Sequence, residues 1–160
     1  MKNVLNFVLF LLVFLNFITL SYSGEFMGTI NRQSGSTSTY GWDGYGWDGK
    51  TLRPLSGAKC RNSYTFDGRI LKPSCNSNSF NTYIWENRAL RPRYGSNSQN
   101  IWIWNGTKLK LRSGSNSNNS WAFDGRIWKL ELGYNSMNSW KVSGFIPIPV
   151  CAFVILNFMR

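Results

Sequence analysis

The chain of 160 residues contains no histidine, only three cysteines and only seven acidic residues. Without histidine it lacks the commonest general base and the commonest metal ligand. Three cysteines are too few for a disulfide framework. The seven carboxylates are outnumbered by 18 lysines and arginines, which gives a formal net charge of +11. We therefore expect no metal, no cofactor and no enzymatic activity, and a surface that attracts anions.

Two chemical alternatives stay open at this point. A glycosidase needs little more than two carboxylates, and Glu131 could converge with a turn aspartate to supply them. A ring of turn aspartates could also bind a metal ion. Asn105 and Ser143 interrupt that ring, so the metal signal is weak.

The amino terminus has the pattern of a secretory signal peptide. An apolar run from Val4 to Leu20 follows a short positive start, and small residues precede Gly24. This pattern predicts that residues 1–23 are a signal peptide and that the protein is secreted or held at the cell surface. An uncleaved membrane anchor is the alternative. Residues 24–44 are predicted to be a polar linker and opening segment.

Residues 45–158 consist of six units spaced nineteen residues apart. Each unit begins with an aromatic anchor: Tyr45, Tyr64, Tyr83, Trp102, Trp121 and Trp140. The alternation in Trp121-Ala122-Phe123 predicts a strand, and the Asp124-Gly125 that follows predicts a type I′ hairpin turn. Pro54, Pro73 and Pro92 are expected to end the second strand of their hairpins.

These units predict an all-β protein of tandem 19-residue β-hairpin repeats in a compact radial, flower-like assembly. A β-solenoid with one unit per coil is the alternative. One apolar column is expected to fill its core: Leu52, Leu71, Leu90, Leu109 and Trp128. The Ser/Asn-rich linkers between hairpins are expected to close through Asx turns. The last unit continues as an apolar tail to Phe158, which we expect to be a core strand or a closing strand.

Basic residues recur at two fixed positions of the unit and form the strongest functional candidate. One set is Arg53, Lys72, Arg91, Lys110 and Lys129; the other is Lys50, Arg69, Arg88 and Arg126. The first set adjoins the leucine column in sequence, so its side chains are expected to face solvent on the opposite side of the strand. Aligned cations of this kind attract polyanions, whereas the alternative is a merely solubilising surface.

Two further groups of residues are candidates. Trp42 and Trp47 lie in a glycine-rich stretch and are expected to be the most exposed tryptophans; the others are expected in the core. Cys60 and Cys75 lie in consecutive linkers and could form a disulfide in an oxidising compartment.

The repeat unit also resembles a known family. The Y/W-x-F/W-D-G-R/K-x-L-K/R-P unit, the G-S-N-S-x-N linker and the closing Phe145-Ile146-Pro147-Ile148-Pro149-Val150 resemble bacterial 4-fold β-flower proteins, over about Tyr45 to Leu156. This resemblance implies an all-β fold with radial symmetry and supplies no catalytic residue. The aromatic hairpins are also similar to those of choline-binding modules, but the fixed cations here would repel a quaternary ammonium ligand.

Together these features predict a secreted, non-enzymatic β-repeat module that acts as a structural or binding domain at the cell surface. The alternative function is a polyanion- or glycan-binding module that uses the repeated lysines and arginines. Its partner would be an acidic surface polysaccharide or another polyanion.

Overall fold

A computed structural model of the chain describes residues 26–33 and 44–157. The predicted signal peptide, Trp42 and most of the predicted linker lie outside these residues. Within them the chain forms twelve strands and one α-helix. The strands are β1 (Gly28–Arg32), β2 (Gly44–Trp47), β3 (Thr51–Pro54), β4 (Tyr64–Phe66), β5 (Ile70–Pro73), β6 (Tyr83–Glu86), β7 (Ala89–Pro92), β8 (Trp102–Trp104), β9 (Lys108–Leu111), β10 (Trp121–Phe123), β11 (Ile127–Leu130) and β12 (Ser139–Gly144). The helix is α1 (Ile148–Asn157), and two short 3₁₀ turns span Cys60–Asn62 and Ser136–Asn138.

The strands form one antiparallel sheet that closes into a barrel. Each strand pairs with its neighbours in the chain, and β1 pairs with both β2 and β12 to complete the ring. The predicted all-β, hairpin-built fold is therefore confirmed. The short hairpin turns all lie at one end of the barrel, which we call the turn side. The longer linkers all lie at the other end, which we call the linker side.

Strand β1 corrects part of the predicted linker. Residues 28–32 were assigned to a polar linker, yet Ile30 is fully buried opposite Val142 and Tyr45. Its polar neighbours Thr29 and Asn31 lie on the other face of the strand. One apolar residue among polar ones is too short an alternation to indicate a strand. Pairing with β2 and β12 makes this segment a strand, because without β1 both of those strands would be exposed edges.

The apolar tail is a helix, so the predicted closing strand is wrong. Helix α1 buries seven consecutive residues, from Pro149 to Ile155. β-branched residues and two prolines favour a strand or a turn in sequence. Pro149, however, is the second residue of α1, where its missing N–H has no helical partner to lose. With the ring already closed, the sheet also offers the tail no free edge to pair with.

Helix α1 fills the interior of the barrel. A helix that is buried on every side must be surrounded, and the buried inner residues of the strands form one cluster with α1. The ring of Phe153 lies 4.6 Å from that of Tyr64 and 5.2 Å from that of Tyr83, between ring centroids. The predicted core column of Leu52, Leu71, Leu90, Leu109 and Trp128 is buried in the same cluster. No helix in the described residues is long and apolar enough to cross a membrane.

Replacing Ile30 by alanine tests the closure by β1. We expect Ile30→Ala to lower the free energy of unfolding by about 2–5 kcal/mol, because it leaves a cavity in the core. Denaturant unfolding measures this change. Lys141→Ala, on the exposed face of the neighbouring β12, is the control and should alter stability by less than about 0.5 kcal/mol. A similarly small effect of Ile30→Ala would show that β1 does not complete the barrel.

Candidate functional site

The first basic set lies on the outer wall of the barrel, and we call it the wall set (Arg53, Lys72, Arg91, Lys110 and Lys129). Each member follows a buried residue of the core column in its strand, so its side chain faces outward. The residues opposite them across the hairpin are small or uncharged: Gly46, Thr65, Ile84, Ile103 and Ala122. The expected solvent-facing orientation is present in the structure.

The wall set completes only five of the six positions around the barrel. In the sixth strand pair, formed by β12 and β1 from opposite ends of the described chain, Ile30 takes the core position and Asn31 takes the position of the wall cation. This assignment follows from the register, since Asn31 lies opposite Lys141 as Arg53 lies opposite Gly46. The outward residue of β1 at this position is therefore uncharged, but the exposed Lys141 of β12 lies directly opposite it.

Most wall-set residues make ion pairs that leave them partly exposed. Arg53 lies 2.8 Å from Asp48, Arg91 lies 3.6 Å from Glu86, and Lys129 lies 3.8 Å from Asp124. Lys110 lies 4.0 Å from Glu131, which also pairs with Lys108. Exposed pairs contribute only about 0–1 kcal/mol each. A polyanion could therefore replace these carboxylates at little energetic cost.

Arg53 and Lys72 of the wall set differ in how far other residues hold their side chains. Arg53 is held by Asp48 and its guanidinium also lies 5.5 Å from the centre of the Phe26 ring. That ring covers Gly46, where a β-carbon would come within 2.3 Å of it. Lys72, by contrast, makes no ion pair with any described residue and is exposed. Lys72 is thus the most available wall cation, whereas Arg53 is held by both a carboxylate and an aromatic ring.

The second basic set, Lys50, Arg69, Arg88 and Arg126, lies in the hairpin turns, and we call it the tip set. Lys50, Arg88 and Arg126 make no ion pair in the described chain, whereas Arg69 lies 2.9 Å from Glu86. The turns differ from the predicted type I′. Only the glycine has positive φ, as at Gly68 and Gly125, which is the pattern of a type II′ turn with glycine as its first central residue.

The aspartate before that glycine has a structural role that its position in sequence did not reveal. The carboxylate of Asp124 accepts hydrogen bonds from the backbone N–H groups of Arg126 and Ile127, at 3.0 and 2.7 Å. Asp67 makes the equivalent bonds to Arg69 and Ile70. These backbone hydrogen bonds lower the pKa of both carboxyls. The largest effect comes from the N–H of Ile127 at Asp124 and from the N–H of Ile70 at Asp67.

The Glu86 hairpin is the exception. Its two central residues, Asn87 and Arg88, both have positive φ, so this turn alone has the expected type I′ pattern. The longer side chain of Glu86 bonds no backbone N–H among the described residues. Instead it bridges Arg69 of the preceding hairpin and Arg91 of its own.

Charge is distributed unevenly between the two ends of the barrel. On the turn side, the four cations of the tip set are matched by four carboxylates: Asp48, Asp67, Glu86 and Asp124. The other twelve cations of the described residues lie on the wall and the linker side with one carboxylate, Glu131. The excess positive charge therefore belongs to the wall and the linker side.

The prediction that Trp47 is exposed is wrong, and Trp42 lies outside the described residues. Trp47 is only 2% exposed because it faces inward from β2, opposite Leu52, and its ring lies near that of Phe66. The exposed aromatics include Tyr134, Phe145 and a pair in two adjacent linkers. The pair is Phe80 and Tyr94, 72% and 61% exposed, with ring centroids 4.5 Å apart. Their departure from the Ser/Asn pattern of the linkers was the only signal in sequence.

The linker asparagines have the structural role that their spacing predicts. Asn116 accepts a hydrogen bond from the N–H of Asn118, while Asn119 accepts one from the N–H of Asn116 and donates to Gly114. The same bonds recur in three other linkers, at Asn78/Asn81, Asn97/Asn100 and Asn135/Asn138. Their amides are thus largely occupied in closing the linkers.

The three cysteines have two different environments. Cys60 and Cys75 form a disulfide between adjacent linkers, with Cα atoms 5.5 Å apart. Elsewhere adjacent linkers are joined at the equivalent place by backbone hydrogen bonds, as from Ser113 to Ser98. Cys151 is buried in α1, and burial raises the pKa of its thiol to about 12. A thiol of this kind is a poor nucleophile.

Neither chemical alternative gains support from the geometry. Glu131 contacts Lys108 and Lys110, and the hydrogen bond from Lys108 lowers the pKa of its carboxyl. A glycosidase acid needs a raised pKa. Among the described residues, no three histidine, cysteine or acidic side chains lie together as metal ligands.

Two cavities lie at the ends of the barrel. A cavity of about 280 Å³ on the linker side is lined by Tyr83, Leu90, Pro92, Gln99, Asn100, Trp102, Leu156 and Asn157. A cavity of about 460 Å³ on the turn side is lined by Trp47, Gly49, Lys50, Phe66, Asp67, Gly68 and Pro147. Each therefore lies beside one end of α1.

Comparison of the chain with known protein families, with curated proteins and with solved structures finds no match.

The turn aspartates predict a specific acid sensitivity. The pKa values of Asp67 and Asp124 are lowered in the folded state. The stabilisation that these two carboxylates give the fold is therefore complete above the unfolded aspartate pKa of about 3.9. It is lost as pH falls through the lower folded values. Stability should therefore decline from about pH 5 downward, and less steeply in the double variant Asp67→Asn, Asp124→Asn.

Denaturant unfolding from neutral pH to about pH 2 measures this dependence. Asparagine is a suitable replacement because Asn105 makes the same two backbone hydrogen bonds naturally. Glu86→Gln is the control, since the described partners of that carboxylate are arginine side chains. An acid dependence unchanged in the double variant would contradict the assignment.

Proposed function

We propose that the protein is a secreted, non-enzymatic β-repeat module that binds polyanions at the cell surface through the wall set. The observation that supports this most directly is the outward column of cations. In the described residues the wall and linker side carry twelve cations and only Glu131 of their own, although three turn carboxylates also reach wall cations. Aligned charges on a rigid sheet attract a linear anion along their whole length. Their individual ion pairs are too weak to prevent exchange with an external anion.

The proposal includes the finer form of the fold. Five hairpins and strand β12 are copies of one nineteen-residue unit, and with β1 they are arranged radially around α1, as the resemblance to β-flower proteins implies. Equivalent residues pair in successive hairpins, with Tyr64 opposite Pro73, Tyr83 opposite Pro92 and Trp121 opposite Leu130. Strands β3, β5 and β7 end at their prolines, as expected for one duplicated unit.

Secretion is supported by two independent features. The apolar run at the amino terminus has the composition of a signal peptide. The disulfide between Cys60 and Cys75 suits an oxidising compartment. In such a compartment the available polyanions include acidic polysaccharides, phosphate-rich surface polymers and extracellular DNA.

A second candidate function is a structural or protein-binding role for the linker side. The exposed ring pair of Phe80 and Tyr94 favours it, because large aromatic residues are enriched at interfaces. This role predicts partner binding that survives removal of wall charge and is lost in Phe80→Ser or Tyr94→Ser.

Polyanion binding is tested with two variants of equal net charge. The wall triple variant is Lys72→Gln, Lys110→Gln, Lys129→Gln; the tip triple variant is Lys50→Gln, Arg88→Gln, Arg126→Gln. The probes are polygalacturonate and a short duplex DNA. We expect the wall variant to bind DNA at least tenfold more weakly and to lower the salt slope by about three, since each phosphate contact contributes roughly 0.9. Affinity is measured by titration across a salt series.

The tip variant separates local charge from net charge. Its cations make no ion pair with any described residue but lie at the turn side, in the same turns as Asp48, Glu86 and Asp124 and away from the wall. We therefore expect its affinity and salt slope to remain near those of the unmodified protein. If both variants weakened binding equally, binding would depend on the net charge of the protein and not on the wall set. No binding of either probe at low salt would contradict polyanion binding altogether.

A further inference from the structure

The turn-side opening of the barrel is surrounded by aromatic residues that the polyanion proposal does not use. They are the last inward-facing residues before each turn, and we call them the aromatic collar: Trp47, Phe66, Trp85, Trp104 and Phe123. Trp47 and Phe66 are buried, whereas Trp85, Trp104 and Phe123 are half-buried. The collar is therefore accessible on the side of β6, β8 and β10.

The collar is uneven because of the segment that joins β12 to α1. Pro147 of this segment lies beside Trp47 and Phe66 and helps to line the turn-side cavity. The volume of this cavity, about 460 Å³, falls within the roughly 300–1,000 Å³ usual for small-molecule sites. Gly68 of this cavity precedes Arg69, whose carbonyl accepts the N–H of Trp85 at 2.7 Å. The cavity is lined by the buried rings Trp47 and Phe66, and the strand that carries the accessible Trp85 is hydrogen-bonded to the turn at its edge.

Backbone hydrogen bonds place a polar turn residue beside each collar ring. The N–H of Trp104 donates to the carbonyl of Arg88 at 2.8 Å, and that of Phe123 to the carbonyl of Thr107 at 2.9 Å. Phe66 makes the same bond to Lys50. Each accessible ring is consequently flanked by the tip residue of the preceding hairpin and by the acidic or amide residue of its own turn.

These flanking groups offer both donors and acceptors without a net charge. Glu86 and Asp124 alternate with Arg69 and Arg88 around the accessible half of the opening. Asn105 binds the backbone through its side-chain oxygen, while its amide nitrogen makes no bond among the described residues. A site built in this way suits a ligand with many hydroxyls better than a phosphate chain, which the interspersed carboxylates would repel.

We propose that the turn-side opening binds a neutral oligosaccharide. The apolar face of a pyranose ring packs against the accessible faces of Trp85 and Trp104, and its hydroxyls bond the arginine, carboxylate and amide groups of the turns. Stacking on aromatic rings provides contact area, and the polar turn groups provide orientation. This site is independent of the wall set, which lies on the outer face of the same strands.

The test is a titration followed through the indole N–H signals of the tryptophans by NMR. The purified protein, produced from the complete sequence, is titrated with β-1,4-linked tetrasaccharides of glucose and of N-acetylglucosamine, which present flat apolar faces. We expect at least one to shift the signals of Trp85 and Trp104, while those of the buried Trp121, Trp128 and Trp140 remain in place. Because the ligand is neutral, affinity should change less than twofold between about 50 and 500 mM salt.

Matched substitutions locate the site. Trp85→Leu and Trp104→Leu should each weaken binding roughly tenfold, as expected for a central aromatic contact. Phe80→Leu and Tyr94→Leu make the same kind of change on the linker side and should alter affinity less than twofold. The wall triple variant should retain saccharide binding, which separates this site from the polyanion surface.

Two outcomes would overturn the proposal. One is the absence of any shift at Trp85 and Trp104 with about 10 mM of each tetrasaccharide, a concentration that detects even weak binding. The other is a shift confined to Trp102, which lines the linker-side cavity. Both outcomes are read from the unmodified protein, so they stand even if a tryptophan variant fails to fold.

Discussion

The architecture depends on the mutual burial of helix α1 and the closed sheet around it. A barrel of twelve short strands encloses more space than its own inward side chains fill, and α1 is apolar on every face. Its ten residues span about 15 Å, close to the length of a four-residue strand. Neither part is satisfied alone, because the helix would expose its apolar surface and the sheet would enclose a void. Strand β1 is part of this constraint, since it removes the last two edges of the sheet.

The hairpin turns determine where the charges lie. A type II′ turn favours glycine at its first central position, and the residue before the glycine uses its side-chain oxygen to accept two backbone N–H groups. Asp48, Asp67, Asn105 and Asp124 all do so. Carboxylates are therefore concentrated at the turns, while the outer wall carries cations at alternate positions. The hairpins thus produce a charge-balanced end with accessible aromatic rings and a basic wall.

The regular part of the structure was the predictable part. The wall set lies where alternation places it, and the linker asparagines close the turns that their spacing indicates. The errors lie where the unit is broken. The glycines around Trp47 suggested an exposed side chain, although this residue takes the inward-facing collar position of its strand. Strand β1 carries one apolar residue, too few for a pattern, and α1 contains prolines and β-branched residues that locally favour other structures.

The sequence by itself determined the hairpins, their order, the inward and outward faces of each strand and the positive charge, because these follow from local alternation and turn chemistry. Tertiary structure decided how the ring closes, which segment fills it and which aromatic rings remain accessible. Those features depend on contacts between residues far apart in the chain. Ile30 pairs with Val142, and Phe153 meets Tyr64 and Tyr83. Because the helix can be buried only inside a sheet that has already closed, no local pattern could specify its conformation.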